Sequence, residues 1–134
     1  MSVGLLLVTH QRVGEAMLET AAATLGICPL HTRCLGVRGD DDPEECLAAG
    51  EALAAEVDSG QGILILTDAC GSTPSNIAVR IGPGRSVRVL AGLNLPMLLR
   101  VYNYAGLSLD ALAEAALVGG RTGVMLVERQ EGPT

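Results

Sequence analysis

Val3-Gly4-Leu5-Leu6-Leu7-Val8-Thr9 is an aliphatic run with no polar residue before its last position. A strand with one face in water alternates apolar and polar residues. An unbroken run is buried on both faces, as in a parallel sheet covered by helices on each side. Ile63 to Thr67 (ILILT) repeats the pattern sixty residues later. Between the two runs the period changes. Val13, Ala16, Met17, Thr20, Ala21, Thr24 and Leu25 recur at helical intervals within 11–25, and Gly26 is a stop.

Pro29 to Val37 reads as a weaker strand, followed by a polar loop at 38–42. A helix then runs from Pro43 to Val57, with Asp42 as its cap and Glu44 and Glu45 in the first turn. Further along, the pattern predicts a short helix over Pro74 to Ile81, a strand over Val87 to Leu90, helices over Leu95 to Tyr104 and Ser108 to Val118, and a last strand over Gly123 to Glu128. Strands and helices that alternate at such short intervals require right-handed crossovers and a mainly parallel sheet. The expected fold is a flavodoxin-like, doubly wound α/β domain over residues 1–128, with a polar tail at 129–134.

The 134 residues are 49% hydrophobic, enough for one domain to bury its core without metals or disulfides. No apolar run approaches the roughly 20 residues that span a bilayer, and no basic segment precedes the first strand, so a soluble, cytoplasmic chain is expected. The net charge is −6, lysine is absent and nine arginines are scattered singly, which argues against a nucleic-acid backbone as partner. With Tyr102 and Tyr104 as the only aromatic residues, base-stacking platforms are missing as well. Cys28, Cys34, Cys46 and Cys70 lack zinc-site spacing and read as thiols; neither a metal nor a cofactor is expected.

The first strand ends in Thr9-His10 and the second in Thr67-Asp68, followed by Gly71-Ser72-Thr73-Pro74-Ser75-Asn76. Sites in open α/β sheets form outside the carboxyl ends of the strands. A carboxylate on the Nδ1–H of a histidine fixes the tautomer and leaves Nε2 as a nucleophile toward phosphorus. A phosphoryl group on that nitrogen brings nearly two negative charges close to Asp68. The turn offsets them: with Thr73 as N-cap and Pro74 at the first helical position, free N–H groups face the site, and the hydroxyls of Thr9, Ser72 and Thr73 add donors around Gly71. Singly, each of these residues has a commoner structural reading. Their coincidence at two strand ends is what points to chemistry. His31, with no carboxylate near it in sequence, reads as structural or exposed, and Cys70 as a small apolar filler.

These motifs, together with Ala91-Gly92-Leu93-Asn94-Leu95-Pro96-Met97-Leu98, resemble the EIIA component of the mannose family of the bacterial phosphoenolpyruvate-dependent sugar phosphotransferase system. The resemblance covers essentially the whole chain. It implies that His10 accepts a phosphoryl group from the phosphocarrier HPr and passes it to an EIIB protein, that Asp68 orients His10, and that Ser72 and its turn hold the phosphate. It implies that Asn94, Pro96 and Met97 help form a partner-docking surface. It also implies a homodimer in which the last strand, Gly123 to Glu128, is exchanged and pairs antiparallel with the other subunit's sheet, and membrane contact only through a permease complex. The chain departs from the family at Gln11, where glycine usually follows the histidine, and at Cys70-Gly71-Ser72, where a bulky apolar residue and two glycines are usual.

No EIIB domain follows the last strand, so the sequence reads as a free-standing phosphotransferase. A regulatory module that binds a target in one phosphorylation state is the second reading, and the phosphotransferase subunit of a dihydroxyacetone kinase the third. A nucleotide- or flavin-binding protein ranks last, because no glycine-rich loop follows the first strand.

Overall fold

The computed structural model describes residues 2–130. Its elements run β1 (Gly4–His10), α1 (Val13–Leu25), β2 (Thr32–Val37), α2 (Pro43–Val57), β3 (Ile63–Thr67), α3 (Thr73–Ala78), β4 (Val87–Ala91), α4 (Leu95–Asn103) and α5 (Leu109–Thr122). The four strands form one parallel sheet in the order β2-β1-β3-β4. Chain order therefore reverses beside β1, and the carboxyl ends of β1 and β3 lie next to each other at the switch point. This is the flavodoxin-like arrangement, with ligand sites at that edge.

The two aliphatic runs form the middle of the sheet, and their alternation sorts side chains between two cores. Leu5, Leu7, Leu64 and Leu66 meet α1, α4 and α5 through Ala21, Leu98, Val101, Leu112 and Ala116. Leu6, Val8, Ile63 and Ile65 meet α2 and α3 through Ala54, Val57, Ile77 and Ala78. All eight of these strand residues are fully buried, and at about 25 cal/mol per Å² of apolar surface this burial outweighs every polar contact described below.

The helix expected over Pro43–Val57 has those bounds, and Asp42 Oδ1 accepts from the Glu44 N–H at 3.0 Å. Gly26 ends α1 in the left-handed conformation, φ 74°. Other boundaries move. β2 starts at Thr32 and not Pro29, because Thr32 Oγ1 turns back to the Leu30 carbonyl and to Tyr102 Oη, and proline has no N–H for a ladder. α5 continues four residues past Val118. Gly119 and Gly120 do not stop it; they let it approach α4, where a Cβ on either would collide with the side chains of Arg100 and Met97.

The largest correction concerns the strand expected over Gly123–Glu128. Gly123 is the C-cap of α5, and residues 124–130 pair with no strand among the described residues. Val124, Met125, Leu126 and Val127 nevertheless remain exposed, Leu126 almost completely. A strand needs a neighbour to satisfy its backbone, and the described residues supply none there. Of the tail at 129–134, residues 131–134 lie outside the described part. No helix among the described residues is long and apolar enough to cross a membrane.

Candidate functional site at the ends of β1 and β3

Asp68 leaves β3 one residue beyond Thr67, and His10 is the last residue of β1. Val8 is opposite Thr67 in the parallel register, so the side chains of His10 and Asp68 meet diagonally. Asp68 Oδ2 lies 2.9 Å from His10 Nδ1 and also accepts the His10 backbone N–H at 3.1 Å. One carboxylate oxygen thus fixes both the ring and the backbone that carries it. A carboxylate only accepts, so the ring nitrogen facing it carries the proton and Nε2 presents a lone pair. The His10 side chain is 49% exposed and that of Asp68 only 16%, which leaves the nucleophile open and its support covered. Burial pushes the Asp68 carboxyl up, but the hydrogen bonds from the His10 ring and backbone outweigh it and hold the group below its ordinary value.

Thr9 is not brought to the open face. It is completely buried, its hydroxyl accepting the Gly14 N–H at 2.9 Å and donating to the His10 carbonyl at 3.2 Å. The residue at the N-cap of α1 is Arg12, whose side chain makes no cap bond. Thr9 supplies the missing acceptor from the strand before it and so locks the turn that carries His10. As a phosphate ligand it is ruled out by that burial. The turn itself is tight. Gln11 has φ 34°, a left-handed conformation that non-glycine residues seldom adopt, and Gly36 is required opposite it, because a Cβ there would collide with the Gln11 carbonyl.

The β3–α3 turn lies beside the pair. The cap of α3 is Ser72, one residue earlier than expected, with Thr73 and Pro74 in the first turn. Ser72 Oγ donates to the Ala69 carbonyl at 2.6 Å instead of capping the helix. The first helical bond runs from Asn76 N–H to the Ser72 carbonyl at 2.9 Å, which leaves the N–H groups of Thr73 and Ser75 without partners inside the helix. Gly71, at φ 82°, gives its N–H to Ser75 Oγ at 3.3 Å. Ser75 is buried and buttresses the turn, a role that its place in Thr-Pro-Ser does not advertise.

Of the three expected docking residues, Pro96 is exposed and Asn94 half-buried. Met97 is 3% exposed and belongs to the core. Asn94 caps α4 by accepting the Met97 N–H at 2.9 Å and joins α4 to α5 by donating to the Gly120 carbonyl at 3.0 Å. Both serve to place the β4–α4 turn. Cys70 is exposed next to the site, and so is His31 at the opposite end of the sheet.

Residues 4–117 match the EIIA-man family model, described as the PTS system fructose IIA component. The PTS system mannose-specific EIIAB component of Escherichia coli K12 is 30% identical over 127 residues, or 92% of this chain and 39% of that protein. The chain therefore spans about two fifths of the curated relatives it matches. Among solved structures, the mannose/sorbose specific IIA subunit from Enterococcus faecalis superposes with a TM-score of 0.87 at 25% identity, covering 99% of this chain and all of that one. The phosphotransferase system component EIIA from Streptococcus agalactiae, at 22% identity and TM-score 0.79 over 92% and 95% of the two chains, shares the fold.

Proposed function

We propose, because this chain belongs to the EIIA-man family of phosphotransferase-system components, that it carries a phosphoryl group on His10 Nε2 between two protein partners. The observation that supports this reading most is the 2.9 Å contact of Asp68 Oδ2 with Nδ1, which commits one ring nitrogen to a proton and frees the other. In the forward step the Nε2 lone pair attacks phosphorus on a phosphohistidine of HPr. A new N–P bond forms, the donor's N–P bond breaks, and its electron pair returns to the donor imidazole. The proton stays on Nδ1, donated in a hydrogen bond to the Asp68 carboxylate, so the ring that carries the new phosphoryl group keeps a counter-charge on its far side. Transfer to an EIIB protein is the same displacement with His10 as the leaving group.

The phosphoryl oxygens meet the free N–H groups of Thr73 and Ser75 and the hydroxyls of Ser72 and Thr73. Ser72 gives up its bond to the Ala69 carbonyl to take part. The partners are proteins, reached in the cytoplasm, and any membrane component is contacted only through them. The exposed run Val124–Val127 and the free edge of β4 support a homodimer in which each run pairs antiparallel with the other subunit's sheet.

Incubation with phosphoenolpyruvate, enzyme I and HPr, followed by intact-mass measurement, tests the reading. Wild type gains one phosphate and His10→Ala gains none. A phosphate that survives in His10→Ala would overturn the site, and no gain in wild type would overturn the relay.

A further inference from the structure

A cavity of about 300 Å³ opens between the start of α1 and the end of β2, lined by Gln11, Arg12, Glu15, Cys34, Gly36 and Arg38. It lies on the far side of the Gln11 turn from Asp68 and does not include His10. Three of its side chains carry charges that the described protein leaves unanswered. Among the nine arginines, Arg33, Arg80, Arg85 and Arg88 are paired with carboxylates, and Arg100 lies over the Tyr104 ring. Arg12, Arg38, Arg121 and Arg129 form no ion pair among the described residues, and of these Arg12 and Arg38 line one cavity. Glu15 Oε1, in the same wall, is shut off from solvent with no hydrogen-bond partner, a situation that costs on the order of 1–3 kcal/mol unless something donates to it.

We propose that this cavity is a binding site for a small hydroxylated phosphate ester, a sugar phosphate in size and chemistry. The phosphate sits between Arg12 and Arg38, and the Glu15 side chain turns so that Oε1 accepts from a ligand hydroxyl. Two guanidinium groups match a dianion better than a single carboxylate does, and each offers a planar fork of donors to its oxygens. The acceptor deeper in the wall needs a donor on the same ligand. A hydroxyl supplies one without placing an ammonium beside two arginines. The Cys34 thiol, pushed up to about 11 chiefly by burial and then by the Glu15 charge, stays neutral and adds no repulsion. The site rests on this geometry and not on phosphoryl transfer by His10, so each can fail without the other.

Calorimetry on the full chain with glucose 6-phosphate, inorganic phosphate and glucose as probes tests it. Glucose 6-phosphate is expected to bind at least tenfold more tightly than either fragment. Arg12→Ala and Arg38→Ala each weaken it at least tenfold, while Glu15→Ala removes the preference for the ester and leaves inorganic phosphate unchanged. In amide NMR spectra of wild type, which need no variant to fold, Gln11 and Gly36 are the signals that move. The proposal is overturned if the ester binds no better than inorganic phosphate, which would mean an adventitious anion only. It is overturned equally if the arginine variants bind as wild type does, or if the shifts lie elsewhere.

Discussion

Replacing Asp68 by alanine removes one oxygen that accepts two hydrogen bonds, from the His10 ring at 2.9 Å and from its backbone at 3.1 Å. Each is worth about 1 kcal/mol net. Because His10 is half exposed, water replaces part of both, and the loss of stability is expected to be about 1–2 kcal/mol. The kinetic effect is larger. Freed from Asp68, the ring rotates and exchanges tautomers, and misplacement of a reacting atom by about 1 Å costs roughly 10²-fold, or about 2.7 kcal/mol of barrier. Asp68→Asn separates orientation from charge. Its amide oxygen still accepts from both donors, but its NH₂ then occupies the place of Oδ1, which is buried and has no partner. An intermediate rate, about tenfold below wild type, is expected with a lower melting temperature. The assay is the initial rate of phosphate incorporation from phospho-HPr by intact mass, with thermal unfolding measured on the same samples. Folded Asp68→Ala that transfers within threefold of wild type would refute the positioning role. Equal rates for Asn and Ala would show that charge, and not orientation, is what Asp68 supplies.

Gln11→Gly is expected to unfold at or slightly above the wild-type midpoint, since glycine relieves a left-handed φ worth about 1 kcal/mol at a similar entropic cost. Gln11→Val is expected to lose about 1–2 kcal/mol, and equal denaturation midpoints for Val and Gln would contradict the strain. Asp58 is held below its ordinary value of 3.8 first by the Gly60 N–H and then by Arg85. A depressed carboxyl stabilises the fold above its unfolded-state value, and that contribution disappears as pH falls through the lower folded value. Stability should therefore decline below about pH 4 with a shallower slope in Asp58→Ala, and parallel slopes in an acid titration of unfolding would count against it. At pH 8 the Cys34 thiol, at about 11, is ionised in only roughly one part in a thousand. Maleimide mass labelling should mark the exposed Cys28 and Cys70 first, and labelling of Cys34 at the rate of Cys70 would remove the basis for its protection. If the exposed run at 124–127 pairs with a second copy, Leu126→Asp with Met125→Asp sediments as monomer where wild type sediments as dimer; a monomeric wild type rules the exchange out.

What the sequence made legible follows from how local each signal is. ILILT and GLLLVT are strands whatever surrounds them, because a continuous aliphatic run must be covered on both faces, and two such strands separated by a helical crossover become parallel neighbours. That puts His10 and Asp68 at one edge before any coordinate is known. The contact itself needs the register that sets Val8 opposite Thr67 and so His10 diagonally across from Asp68, which the hydrophobic pattern alone does not give. Thr9 and Met97 show the opposite case. Both stand in the motifs that carry the family resemblance, yet one is spent on capping a helix whose own cap residue is arginine, and the other on core packing. A motif records which residues occur together, not which of them face solvent. The stretch after Gly123 shows a third case. Its continuous apolar run is a strand signal, but a strand is a property of a pair, and residues 124–127 have no partner among the described residues. The expectation there is of a strand exchanged with a second subunit, and a sequence pattern names neither the edge that receives such a strand nor the molecule that carries it.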